Sequence, residues 1–163
     1  MSERVLSQRE LNRALLARQL LLEHGRMSVP KALERIGGIQ AQYAPAMYLG
    51  LWSRVENLER AALTRALERR SVVQATLMRA TIHLVSRADY WPLTAAIRAE
   101  RRAWWERTHN KQADPVRARA AGKRLRAFLA GSPRRWKEIQ ERCGREDALA
   151  AAQTALGREI NPV

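Results

Sequence analysis

The sequence predicts a mainly α-helical fold with a small β-hairpin wing, a winged helix-turn-helix, and three observations predict it. Apolar residues recur at helical spacing in short segments parted by Gly, Pro or Ser. Two β-branched runs then follow about a short connector, and a longer helical pattern trails them. Helices leading into a two-stranded ribbon is the order of a winged helix, in which one helix enters the major groove and the ribbon touches the backbone or the minor groove.

Ser7-Gln8-Arg9-Glu10 has the form of a capping box. Leu11, Ala14, Leu15, Leu21 and Leu22 follow at roughly helical spacing up to Gly25, which predicts the first helix. Ser28 is placed to cap a second, with Pro30 in its first turn, where a missing N–H costs nothing, and Gly37-Gly38 to end it. After Pro45 the run Ala46, Met47, Tyr48, Leu49, Gly50, Leu51, Trp52 reads as a buried helix. Asn57 then reads as the cap of another, with Leu58, Leu63 and Leu67 on one face. The period changes at Val72-Val73-Gln74-Ala75-Thr76-Leu77 and again at Thr81-Ile82-His83-Leu84-Val85, two strands about Met78-Arg79-Ala80.

From Ser86 to Arg107 the pattern is that of a long helix, within which Trp104 and Trp105 read as packed. A polar linker from Thr108 to Ala113 follows. Asp114-Pro115 opens a further helix, Ser132-Pro133 opens another through Arg134, Arg135 and Trp136, and Arg145 to Gly157 is an Ala-rich helical pattern. The expected organisation is a first winged-helix domain with its trailing helix over 1–108, a partial second helix-turn-helix unit over 114–157, and a tail over 158–163.

The 163 residues carry 30 Lys and Arg against 16 Asp and Glu, a formal charge of +14, so a polyanion is the natural partner. Arginine-favouring codon usage accounts for the same count on composition alone. The single Cys143 excludes an internal disulfide, and His24, His83 and His109 are too scattered for a ligand set, so neither metal nor other cofactor is expected. No signal peptide and no membrane span is read from the chain, which predicts a cytoplasmic protein without a membrane partner. The apolar pattern does not specify an oligomeric state.

Gly38-Ile39-Gln40-Ala41-Gln42-Tyr43-Ala44-Pro45 is the most informative segment, because two amides two residues apart follow a glycine turn and precede a very apolar helix. Composition alone is also served by glutamines that satisfy loose backbone groups at a helix junction. Gly38-Ile39-Gln40-Ala41-Gln42, then Tyr48-Leu49-Gly50-Leu51-Trp52-Ser53-Arg54-Val55, then Leu77-Met78-Arg79-Ala80-Thr81-Ile82-His83-Leu84-Val85 resemble, in that order, the bacterial winged-helix DNA glycosylases of the AlkZ and YcaQ type. With Ser132-Pro133-Arg134-Arg135, which looks like the start of a second winged helix, the resemblance covers residues 8–142.

The resemblance implies an enzyme that binds double-stranded DNA and excises alkylated or crosslinked purines by hydrolysing the N-glycosidic bond. The family's active-site motif is Gln-apolar-Gln in one subgroup and Gln-apolar-Asp in the other, and Gln40 and Gln42 match the two-glutamine form. Arg79, Thr81 and His83 lie in a similar block and, with Arg69, Arg70, Arg134 and Arg135, are the candidate DNA contacts. A ribbon tip is where a winged helix meets phosphate. His83 reads first as a packed, hydrogen-bonded strand residue, and Arg79 equally as a solvated turn residue. Two departures stand out: family members are considerably longer, so the chain reads as a C-terminally truncated member, and Ala80 stands where the family usually has glycine. The competing reading is a non-catalytic winged-helix DNA-binding module or transcriptional regulator in which the same glutamines are structural.

Overall fold

The computed structural model describes residues 5–109, 115–132 and 134–144. Over these the chain forms helices α1 (Gln8–Arg18), α2 (Val29–Ile36), α3 (Ala44–Trp52), α4 (Arg60–Glu68), α5 (Arg87–His109), α6 (Pro115–Leu129) and α7 (Trp136–Cys143). Strands β1 (Ile39–Gln40), β2 (Val72–Thr76) and β3 (Ile82–Ser86) complete it. The mainly helical fold with a small β wing is the one expected. Two compact units divide it, Met1–Leu93 and Thr94–Val163.

In the first unit Ser7 caps α1 as the sequence predicts: its Oγ accepts the Glu10 amide at 3.3 Å while the Glu10 carboxylate accepts the Ser7 amide at 2.9 Å. The helix nonetheless stops at Arg18, and Leu20 turns the chain with φ 56°, so Leu21 and Leu22 fall outside it. It buries no side chain; Leu11, Leu15 and Leu16 remain 45%, 54% and 41% exposed. Helix α2 runs from its cap Ser28 to Gly37, whose φ of 77° is the left-handed stop that glycine adopts without cost. Asn57 does not cap α4. It takes φ 53° in the preceding turn, and Glu59 occupies the cap position, because the chain must first pair Val55 with Gly25 before it can turn into the helix.

Helix α3 corrects a further expectation. Met47 and Leu51 are buried, but Leu49 and Trp52 are 64% and 63% exposed, so only one side of this uniformly apolar helix finds a partner. The exposed side borders a groove of about 650 Å³ lined by Ala44, Pro45, Tyr48, Leu49, Trp52, Leu58 and Arg60.

The ribbon gains a third strand that the sequence did not announce. All pairs are antiparallel in the order β1-β3-β2, with Ile39 opposite Leu84, Gln40 opposite His83, and Ala75 opposite His83 on the other side. Gly38 permits this docking. Its φ is 90°, and a Cβ there would meet the Leu84 carbonyl oxygen at 2.9 Å and the Val85 Cγ1 at 2.7 Å. One face of the sheet, carrying Val72, Leu84 and Ile82, closes the core with Val29, Leu33, Met47, Leu51, Leu63 and Ala66. At the end of β3 the buried Ser86 starts α5 directly, its hydroxyl accepting the Asp89 amide at 3.1 Å.

The second unit has a smaller core of Ala121, Leu125 and Ile139, against which Phe128, Leu129 and Trp136 pack. Arg134 and Arg135 precede α7 rather than lying within it; Arg135 is the cap residue, its amide donating to Glu138 Oε2 at 3.0 Å. Trp104, expected to be packed, is 41% exposed. Thr108 and His109, expected to begin the linker, instead end α5. Residues 1–4, 110–114, Pro133 and 145–163, and the side chain of Trp105, lie outside what is described, and with them the rest of the expected linker, the Ala-rich helix and the tail. Among the described residues no helix is long and apolar enough to cross a membrane.

Candidate functional site

Strand pairing assembles the candidate site. The Ala41 amide donates to the Ile82 carbonyl at 2.8 Å, which continues the β1–β3 ladder one residue past Gln40. Gln40 and His83 therefore form a non-hydrogen-bonded antiparallel pair, the kind whose Cα atoms stand about 4.5 Å apart and whose side chains lie closest. Side chains alternate along a strand, so Gln40, Gln42, Thr81 and His83 share one face while Ile39, Ala41, Ile82 and Leu84 share the other. The second set is the core face. The first carries polar groups that stay open: Gln40 and Gln42 are exposed, Thr81 and His83 half-buried.

Within this face the polar atoms are ordered. Gln40 Nε2 donates to Gln42 Oε1 at 2.5 Å. That leaves Gln40 Oε1, a second lone pair on Gln42 Oε1 and the Gln42 amino group for a ligand. His83 Nδ1 lies 2.8 Å from the Thr81 carbonyl oxygen; a carbonyl only accepts, so Nδ1 carries the hydrogen. The Thr81 hydroxyl donates to the Met78 carbonyl at 3.2 Å, tying the site to the ribbon tip.

Arg79 and Ala80 form that tip, with φ of 52° and 58°, and both are exposed. The Thr81 amide closes the turn on the Met78 carbonyl at 3.2 Å. Positive φ at both central positions is the geometry of primed hairpin turns, whose twist matches that of the strands they join. Arg69 and Arg70 are exposed at the other end of β2, where Arg70 has φ 55°. Ala75, the residue level with Gln40 and His83, lies three residues into β2 from Val72, about 10 Å, and Arg70 precedes the strand by two residues. The first unit thus brings Gln40, Gln42, Thr81 and His83 together, with Arg79 at the adjoining tip, and sets Arg69 and Arg70 apart. Arg134 and Arg135 belong to the second unit, where both are exposed and the Arg134 guanidinium lies 5.0 Å over the Phe128 ring. The groove beside α3 is lined by none of the four clustered residues.

Sequence reasoning missed Gln74. It was read only as one polar residue in a strand, yet its Nε2 donates to the Ala41 carbonyl at 3.0 Å. No local pattern carries a contact between residues so far apart in the chain.

The family model of the AlkZ-like DNA glycosylases matches residues 33–160. The fold resembles that of the Streptomyces sahachiroi DNA glycosylase AlkZ, with a TM-score of 0.64 and 20% identity over 84% of this chain. The match takes in 41% of that protein, so the chain spans less than half of its length. No curated protein sequence matches. With both Gln-apolar-Gln glutamines inside the matched span, the chain belongs to the AlkZ-like DNA glycosylase family.

Proposed function

We propose that this chain engages duplex DNA through its basic winged helix and releases alkylated purines by hydrolysis, with Gln40 and Gln42 acting on the glycosidic bond. The observation that carries the reading is the hydrogen-bonded pair of exposed amides facing His83 across β1 and β3. A purine alkylated at N7 is cationic and leaves readily, so catalysis needs mainly an oriented water and a stabilised oxocarbenium-like transition state. A free glutamine carbonyl lone pair accepts a hydrogen bond from that water or faces the positive charge that grows at C1′. The water oxygen bonds to C1′ as the C1′–N9 bond breaks. The electron pair passes to N9, neutralising the purine, and the water's proton passes to solvent.

Neutral amides are weak bases, so the site suits labile cationic lesions and is poorly equipped for neutral ones. Arg79 at the tip, Thr81 and His83 beside the amides, and Arg69, Arg70, Arg134 and Arg135 are the DNA contacts of this reading. A net charge of +14 supports their binding of phosphate. On the same reading residues 114–157 begin a second helix-turn-helix unit.

The test is a duplex with a single 7-methylguanine, followed for abasic product and for bound complex over a salt series. The expected result is product from the wild-type chain, and a loss of about 10²-fold in each of Gln40→Ala and Gln42→Ala with DNA binding retained. Salt-sensitive binding without product would leave a DNA-binding module and remove the enzyme.

A further inference from the structure

Resting on the glycosylase reading, we infer that Gln74 is a positioning residue for the two glutamines, acting from the opposite side of the sheet. Ala41 is the residue between them, and it is held at both ends of its own backbone. Its amide donates to the Ile82 carbonyl at 2.8 Å, and its carbonyl accepts the Gln74 side-chain amide at 3.0 Å. Strand β1 spans only Ile39 and Gln40 and its pairing ends at the Ala41 amide, so strand pairing does not orient the Ala41–Gln42 peptide. The Gln74 amide supplies the missing constraint.

The geometry excludes direct work on DNA at the glutamine face. Gln74 stands opposite Leu84, which stands opposite Ile39, so its side chain leaves β2 on the face of Leu84 and Ile39. Gln40 and His83 occupy the other face. Gln74 therefore reaches the motif from behind and bonds to the backbone that leads into Gln42. The 2.5 Å bond between Gln40 and Gln42 needs both side chains to leave the strand in set directions, and rotation of the Ala41–Gln42 peptide breaks that alignment. An amide that fixes this peptide plane fixes which lone pairs of the pair stay free.

Gln74 is itself exposed, and the contact its replacement removes is the bond to the Ala41 carbonyl. Gln74→Met keeps the length and loses the donor, Gln74→Glu places an acceptor against the Ala41 carbonyl, and Gln74→Arg restores a donor of longer reach. Each variant of the full chain is assayed for 7-methylguanine release at saturating protein, for affinity to the same duplex, and by NMR for the cross-peaks between the Gln40 and Gln42 side chains. The expected result for Met and Glu is DNA affinity within about twofold of wild type, base release slowed about tenfold, and loss of the Gln40–Gln42 cross-peaks, with Arg recovering both. Wild-type release rates in Met and Glu, or a slowed rate with the cross-peaks intact, would overturn the inference. If the wild-type chain releases no base, the glycosylase reading falls and the cross-peaks alone decide: intact in Met and Glu, they refute the positioning role; lost there and regained in Arg, they uphold it.

Discussion

Helix α1 and the β2–β3 hairpin are both well specified locally, and they differ in what they bury. Helix α1 has a complete capping box and a leucine stripe, yet no side chain of it is buried. The hairpin has a strained tip, with Arg79 and Ala80 both at positive φ, yet Val72 and Leu84 on its inner face are buried. Capping satisfies backbone donors within one turn and needs no partner. Burial needs a second surface, and the hairpin has one because α2 and α4 precede it and pack beneath its inner face. A well-formed element and a stabilising element are thus separate achievements. The hairpin tolerates about 1–2 kcal/mol of left-handed strain per tip residue because its core face holds it in place.

The sharpest break of this contrast is a pair of leucine truncations. Leu84→Ala, at a fully buried site, is expected to cost about 2–5 kcal/mol, whereas Leu15→Ala in α1 stays within about 0.5 kcal/mol. Urea unfolding of the two variants measures both, and equal losses would show that α1 carries as much of the stability as the sheet. Next in size is Ser7→Ala, which removes the capping hydroxyl and is expected to cost about 1 kcal/mol, confined to α1. Amide hydrogen exchange should quicken in α1 and remain unchanged in β2 and β3; faster exchange in both would join what the burial pattern separates. The smallest effect is Ala80→Gly. Relief of the left-handed strain outweighs the added freedom of the unfolded chain, and a gain of about 0.5 kcal/mol is expected in the thermal midpoint. A loss there would mean that the methyl group packs at the tip and compensates for its backbone.

Much of the architecture was legible in the residues. Ser7 with Glu10 marks a helix start by hydrogen bonds, and Pro30 and Gly37 mark the ends of α2 by φ preferences, all acting within four residues; Ser28 takes the cap position of α2 without a side-chain bond. The β-branched runs around Met78-Arg79-Ala80 mark the hairpin for the same local reason. Gln40 and Gln42 stood out as amides between a glycine turn and an apolar helix, but not as part of a sheet, since a strand of two residues has no periodicity to detect. Asn57 misled because its side chain suits a helix cap and a left-handed turn equally well.

By itself, then, the sequence determined the element types, most helix starts, the positive charge, and the glutamine motif with its family likeness. These are either composition or consequences of backbone chemistry between near neighbours. Only the tertiary structure decided that β1 docks against β3, that His83 faces Gln40, that Gln74 holds Ala41, and that the leucines of α1 stay exposed. Each joins, or fails to join, residues far apart in the chain, and such contacts depend on packing and strand register, which local periodicity does not encode.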